Sequence, residues 1–80
     1  MPAPVPVRSI ELAGQIQSVT GSCPEKTFRL DDYTVYTTSD TAYERGNCSN
    51  VRGDQDVDYV RGWLMSDGRV RADRIRFDKD

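Results

Sequence analysis

The chain has 80 residues, 11 of them lysine or arginine and 13 aspartate or glutamate, with a formal net charge of −2 and no histidine. This is one domain, near the size at which a hydrophobic core alone becomes marginal. The acidic balance argues against non-specific nucleic-acid binding, which needs positive charge along the contact; without imidazole the chain lacks the commonest general base, metal ligand and pH switch near neutrality.

The opening "MPAPVPV" alternates proline with small apolar residues. Proline blocks helix and removes ladder donors, so residues 1–8 read as a linker. Such a linker is expected to follow an export signal or lipid anchor in a longer parent protein, with Met1 an added start. No stretch is long and apolar enough for a membrane span or a signal peptide, so no membrane insertion by this domain is expected. The folded domain is placed at residues 9–78, with a tail at 79–80.

Apolar residues then recur with period two, the mark of strands. "SIELAGQIQSV" puts Ile10, Leu12, Gly14 and Ile16 on one face of a long first strand, with Gly14 as a bend. "TFRLDDYTVYTT" is a hairpin: Phe28 and Leu30 share a face going in, Tyr33 and Val35 coming out, and the Asp31-Asp32 turn is expected to bond back to local backbone. "SDTAYERGNCSN" is a polar, β-favouring segment with Tyr43 its anchor in the core, and within it Ala42 to Asn50 reads as a loop or one helical turn. "DVDYVRGWLM" and "GRVRADRIRF" form a second hairpin through a Ser66–Gly68 turn. In the last strand Val70 and Ala72 keep one parity while Ile75 and Phe77 take the other, which predicts a bulge near Asp73.

Cys23 and Cys48 each sit among turn residues, in "TGSCPE" and "RGNCSN". In a small domain with a thin core this pair reads as a disulfide, and hence as an oxidising compartment. The predicted fold is all-β: a five-stranded OB-fold-like barrel with one disulfide, with an SH3-like barrel as the alternative.

The frame "ELAGQIQSVTGSC … FRLDDYTVYTTSDTAYERGNCSNVRGDQDVDYVRGWLMSDGRVRADRI" resembles a bacterial domain-of-unknown-function family, the one numbered five-six-six-six. Its members show a strand with a central glycine, "S-V-x-G", a short hairpin, "G-D" ahead of "V-x-G", and a closing "D-G-x-V-x-A-x-x-I". Paired "G-S-C" and "G-N-C" mark a subset. The resemblance implies an exported OB-like barrel of envelope proteins or tandem arrays, and it carries no activity with it.

The segment Gly46–Tyr59 holds three familiar motifs that architecture explains better. Asn47-Cys48-Ser49 is a glycosylation sequon whose middle residue is the expected disulfide partner. Arg52-Gly53-Asp54 reads as the entry turn to the fourth strand, with Gly46 and Gly53 expected to supply backbone conformations that other residues resist and Asp54 to cap nearby N–H groups. Asp54, Asp56 and Asp58 match the first acidic positions of a calcium loop, but Tyr59 and Met65 stand where its glycine and bidentate glutamate belong; metal ligation is not expected.

No nucleophile has a histidine base and no phosphate-binding glycine loop is present, so an enzyme and a cofactor are not expected. Binding is. Arg29, Thr34, Tyr36, Arg61 and Trp63 are expected on an outer face, the chemistry that stacks bases or sugars. The run Arg69, Arg71, Arg74 and Arg76 reads as a solvated strand balanced by Asp67, Asp73 and Asp78. The expected function is a non-catalytic binding or protein-interaction module of an exported bacterial envelope protein, with a protein partner. The rivals are single-stranded nucleic acid or oligosaccharide on the face of Arg29, Tyr36, Arg61 and Trp63, and a structural subunit assembling through edge strands.

Overall fold

The computed structural model describes residues 4–78. The first three residues of the expected linker and the expected tail at 79–80 lie outside the described residues. The strands are β1 (Pro6–Gln15), β2 (Gln17–Ser22), β3 (Glu25–Leu30), β4 (Tyr33–Tyr36), β5 (Ala42–Glu44), β6 (Asp56–Met65) and β7 (Val70–Phe77), with one 3-10 turn at Cys48–Asn50. They form a single open sheet of seven strands in the order β1-β6-β7-β4-β3-β2, with β5 on β7 off that path.

This corrects the five-stranded barrel, and with it the strand count behind both barrel expectations: the sheet has seven strands and is open. Two features raise the number. The long first strand divides at Ile16, which is fully buried; its N–H donates to the Gln55 carbonyl at 2.9 Å and its carbonyl accepts from Asp54 at 2.8 Å. Beyond it Ser18 takes φ 53° and the register shifts between Gln17 and Thr20. The halves on either side therefore pair with different strands, β1 with β6 and β2 with β3, so the two ends of the sheet are consecutive in sequence. The second feature is β5, which lies parallel to β7 (Ala42↔Arg74, Tyr43↔Ile75, Glu44↔Arg76) in a segment read as loop or turn. Strand pairing also starts earlier than the expected domain boundary. Pro6 and Arg8 lie opposite Met65 and Leu64, and the Ser66 N–H reaches the Val5 carbonyl at 2.9 Å.

Alternation places the core as the sequence suggests. Leu12, Ile16, Phe28, Leu30, Val35, Val51, Val57, Val60, Val70, Ala72, Ile75 and Phe77 form one buried cluster. Fully burying a side chain of this class contributes about 1.5–3 kcal/mol before entropy is charged against it. Phe28↔Val35 and Leu30↔Tyr33 are the expected hairpin pairs. The parity change in β7 coincides with a register shift opposite Arg61 and Gly62, which leaves Asp73 and Arg74 both exposed. Tyr43 packs against the core and stacks on Phe77 with ring centroids 6.1 Å apart.

The Asp31-Asp32 turn forms for a different reason from the one expected. Both residues have left-handed φ, 50° and 67°, the geometry of a two-residue hairpin turn with positive φ at both centres. Aspartate tolerates that region better than most residues but less well than glycine. Asp32→Gly is expected to stabilise the domain by about 0.5–1 kcal/mol, raising Tm by several degrees, as a thermal melt can show.

Cys23 and Cys48 are joined, with Cα atoms 5.9 Å apart. The bond links the turn after β2 to the 3-10 turn, and the same two regions meet again where Lys26 Nζ donates to the Val51 carbonyl at 2.9 Å. The 3-10 turn is closed by a capping box: Asn47 accepts from the Ser49 N–H, and the Asn50 side chain accepts from the Asn47 N–H.

Candidate functional site: the outer face of β4, β7, β6 and β1

Directly paired residues in neighbouring strands project to the same side of a sheet. The register therefore lines up one row across the outer face: Ser9 on β1 opposite Trp63 on β6, Trp63 opposite Arg71 on β7, and Arg71 opposite Tyr36 on β4. Thr27 on β3 continues it beside Tyr36. The Arg69 guanidinium lies over the Tyr36 ring, 4.8 Å from its centroid. Trp63 keeps 36% of its surface exposed.

Beside Trp63 the surface opens into a groove of about 510 Å³, lined among others by Ser9, Glu11, Arg61, Gly62, Trp63 and Asp73. Its charges are matched. Arg61 Nε donates to Glu11 Oε2 at 2.6 Å, and Arg71 Nε lies 3.8 Å from Asp73 Oδ1.

The four residues expected to share a ligand face are thus only partly brought together. Arg61 and Trp63 line one groove, and Tyr36 joins them through Arg71. Arg29 lies apart, in a second groove of about 370 Å³ with Gln17, Ser18, Asp31 and Asp32. Its strand partners are Gln17 and Thr34. Sequence reasoning missed Arg71, Glu11, Ser9 and Asp73. The phase slip at Asp73 was the available signal for the β6–β7 register, but the parallel β4–β7 pairing that sets Tyr36 beside Arg71 has no local mark.

The arginine run of β7 is balanced as expected at two places only. Arg69 meets Asp67 at 2.9 Å and Arg71 faces Asp73. Arg74 and Arg76 instead pair with Glu44, at 2.5 Å, and with Asp58, at 3.2 Å. Glu44 also accepts from the Tyr59 hydroxyl at 2.9 Å, and Arg61 lies 4.8 Å from the Tyr59 ring centroid. The Tyr59 hydrogen bond, helped by Arg74 and Arg76, holds the Glu44 carboxyl below its ordinary range. The Arg69 backbone N–H and guanidinium do the same for Asp67. On acidification the unfolded chain takes up these protons first. The associated stability is complete above the ordinary carboxylate pKa and is lost as pH falls through the depressed folded values. Urea melts should therefore hold steady down to pH about 5 and weaken progressively below it, and Glu44→Gln should shallow that decline.

The three motifs of Gly46–Tyr59 take their places in the framework. Asn47 is committed as the cap of the 3-10 turn, where its side chain also accepts from the Ser49 hydroxyl. Arg52–Asp54 forms the turn into β6, with Asp54 at φ 67° and its backbone N–H, rather than its carboxylate, making the bond to Ile16. The glycines act otherwise than expected. Neither Gly46 nor Gly53 has positive φ, and Arg45 takes φ 63° instead. Gly46 is needed for space, because a Cβ there would lie 2.6 Å from Phe77 Cδ2. Asp54 and Asp56 are exposed, Asp58 is paired with Arg76, and among the described residues no group of three acidic, cysteine or histidine side chains is arranged around a cation.

The family described as Domain of unknown function (DUF5666) covers residues 13–76. No curated protein and no solved structure matches the chain.

Proposed function

The chain belongs to the family described as Domain of unknown function (DUF5666), and from its geometry we propose that it is a non-catalytic binding module of an exported bacterial envelope protein, working through the outer face around Trp63. The observation that carries this is the cross-strand row Ser9–Trp63–Arg71–Tyr36, with a groove opening beside it. An exposed indole and flanking guanidiniums on a rigid sheet add little to the core, and they form a ready surface for a partner. The absence of histidine from the sequence disfavours acid–base catalysis near neutral pH.

Export is supported by the Cys23–Cys48 bond, since structural disulfides persist in oxidising compartments. The strand order supports an OB-like arrangement in its broad sense. The first and last strands of the sheet are successive halves of one bent segment, and OB-type folds present ligands to an outer sheet face of this kind.

The test uses the only tryptophan of the chain as its reporter. Titration with a detergent-free wash of bacterial envelopes should shift Trp63 emission. Arg61→Ala should weaken that response while leaving the melt within about 0.5 kcal/mol, as for other exposed substitutions. Emission unmoved by the wash would contradict the reading.

A further inference from the structure

We propose that the groove beside Trp63 takes a neutral oligosaccharide strand; this rests on the outer-face reading above and names its ligand. The argument is one of charge and hydrogen-bond inventory. Two carboxylates, Glu11 and Asp73, stand in the lining, and the arginines next to them already face these carboxylates, Arg61 on Glu11 at 2.6 Å and Arg71 on Asp73 at 3.8 Å. A phosphodiester entering the groove meets both anions, and releasing an arginine to meet it means breaking an existing pair. That is a poor site for nucleic acid, whose affinity comes from uncompensated cations along the backbone. The guanidiniums of Arg61 and Arg71 discourage a cationic peptide in the same way.

A sugar suits the same inventory. Each vicinal hydroxyl both donates and accepts, and a carboxylate beside a guanidinium offers an acceptor and donors at neighbouring positions. Ser9 adds a hydroxyl able to act in either sense. The exposed Trp63 ring gives an apolar plane for the C–H face of a pyranose, as amphipathic aromatics do at polar interfaces. The volume, about 510 Å³, falls in the range of small-ligand sites, and the groove is open, so a chain longer than the contacted units can run on past it.

The experiment titrates the whole protein with cellohexaose, maltohexaose and fully N-acetylated chitohexaose, and separately with a thymidine decanucleotide, following Trp63 emission. At least one hexasaccharide should shift the emission, with an affinity unchanged between about 50 and 200 mM salt. Glu11→Gln combined with Asp73→Asn should weaken that saccharide by roughly tenfold or more, as expected for losing hydrogen bonds to charged groups. The same double variant should gain affinity for the decanucleotide, because Arg61 and Arg71 are then uncompensated. A salt-sensitive response to the decanucleotide alone overturns the proposal while leaving the outer-face reading intact. Silence toward all four probes also overturns it, and a response to the envelope wash then shows that the face binds something other than a neutral saccharide.

Discussion

Replacing Gly62 by alanine is expected to destabilise the domain by at least about 3 kcal/mol, a large part of the stability of a chain this size. Gly62 is not in the left-handed region; the requirement is space. A Cβ built there lies 1.9 Å from the Arg71 carbonyl oxygen, 2.9 Å from its carbon and 3.1 Å from the Ala72 Cα. All three are backbone atoms of the paired strand, so no side-chain rotation relieves the clash. β6 and β7 lie in the middle of the path β1-β6-β7-β4, and prising them apart disturbs the rows that carry both the core and the outer face. Gly53→Ala is the matched control. Nothing lies within 4 Å of a Cβ at Gly53, and its φ is ordinary, so the substitution should be neutral or stabilise by up to about 1 kcal/mol through the unfolded chain. Chemical denaturation of the two variants checks the contrast, and equal losses would refute the steric account.

Opening the disulfide should cost a comparable amount. Cys23 and Cys48 are separated by 25 positions, and freeing a loop of that length restores unfolded-chain entropy equivalent to about 3.5 kcal/mol in the chain-entropy account. For a domain this small the loss corresponds to a fall in Tm of roughly 15–25 °C. The paired variant Cys23→Ser with Cys48→Ser should reproduce the effect of reductant on the native protein and be insensitive to reductant itself. The Lys26–Val51 hydrogen bond between the same regions remains, so the loosened corner keeps one tie. A change in Tm below about 5 °C on reduction would show that the core needs no such staple.

Much of this architecture was legible in the residues because it rests on local alternation. Alternation puts Phe28 with Leu30 and Tyr33 with Val35, and of these Phe28, Leu30 and Val35 are fully buried while Tyr33 is half-buried; the change of phase between Ala72 and Ile75 marks the β7 bulge. The departures have a common physical cause. Ile16 is buried on the face that parity gives it, but its backbone bonds to the distant turn at Asp54 and Gln55 rather than to a strand, and Ser18 adopts a left-handed φ with nothing in the sequence to announce it. The expected bend at Gly14 is present, with φ 138° and a register shift between Leu12 and Gly14, but the strand divides two residues further on. β5 was hidden because its pairing with β7 is parallel and non-local, while the intervening residues are polar. Glycine itself misled at Gly53, where the neighbouring Asp54 takes the left-handed conformation instead. The candidate site was half legible for the same reason. Trp63 and Arg61 follow from the parity of β6, whereas Arg71 and the paired carboxylates become neighbours only through cross-strand register. Arg29 shares their chemistry but lies in another groove.

The proposed export and the staple meet in one measurement: the thiol state of the protein taken from the cells that make it, treated with an alkylating reagent at the moment of lysis and weighed intact. The account predicts that Cys23 and Cys48 remain unlabelled and become labelled only after reduction under denaturing conditions. Two alkyl groups on untreated material would mean that the protein works with free thiols in a reducing compartment, and that result would contradict it.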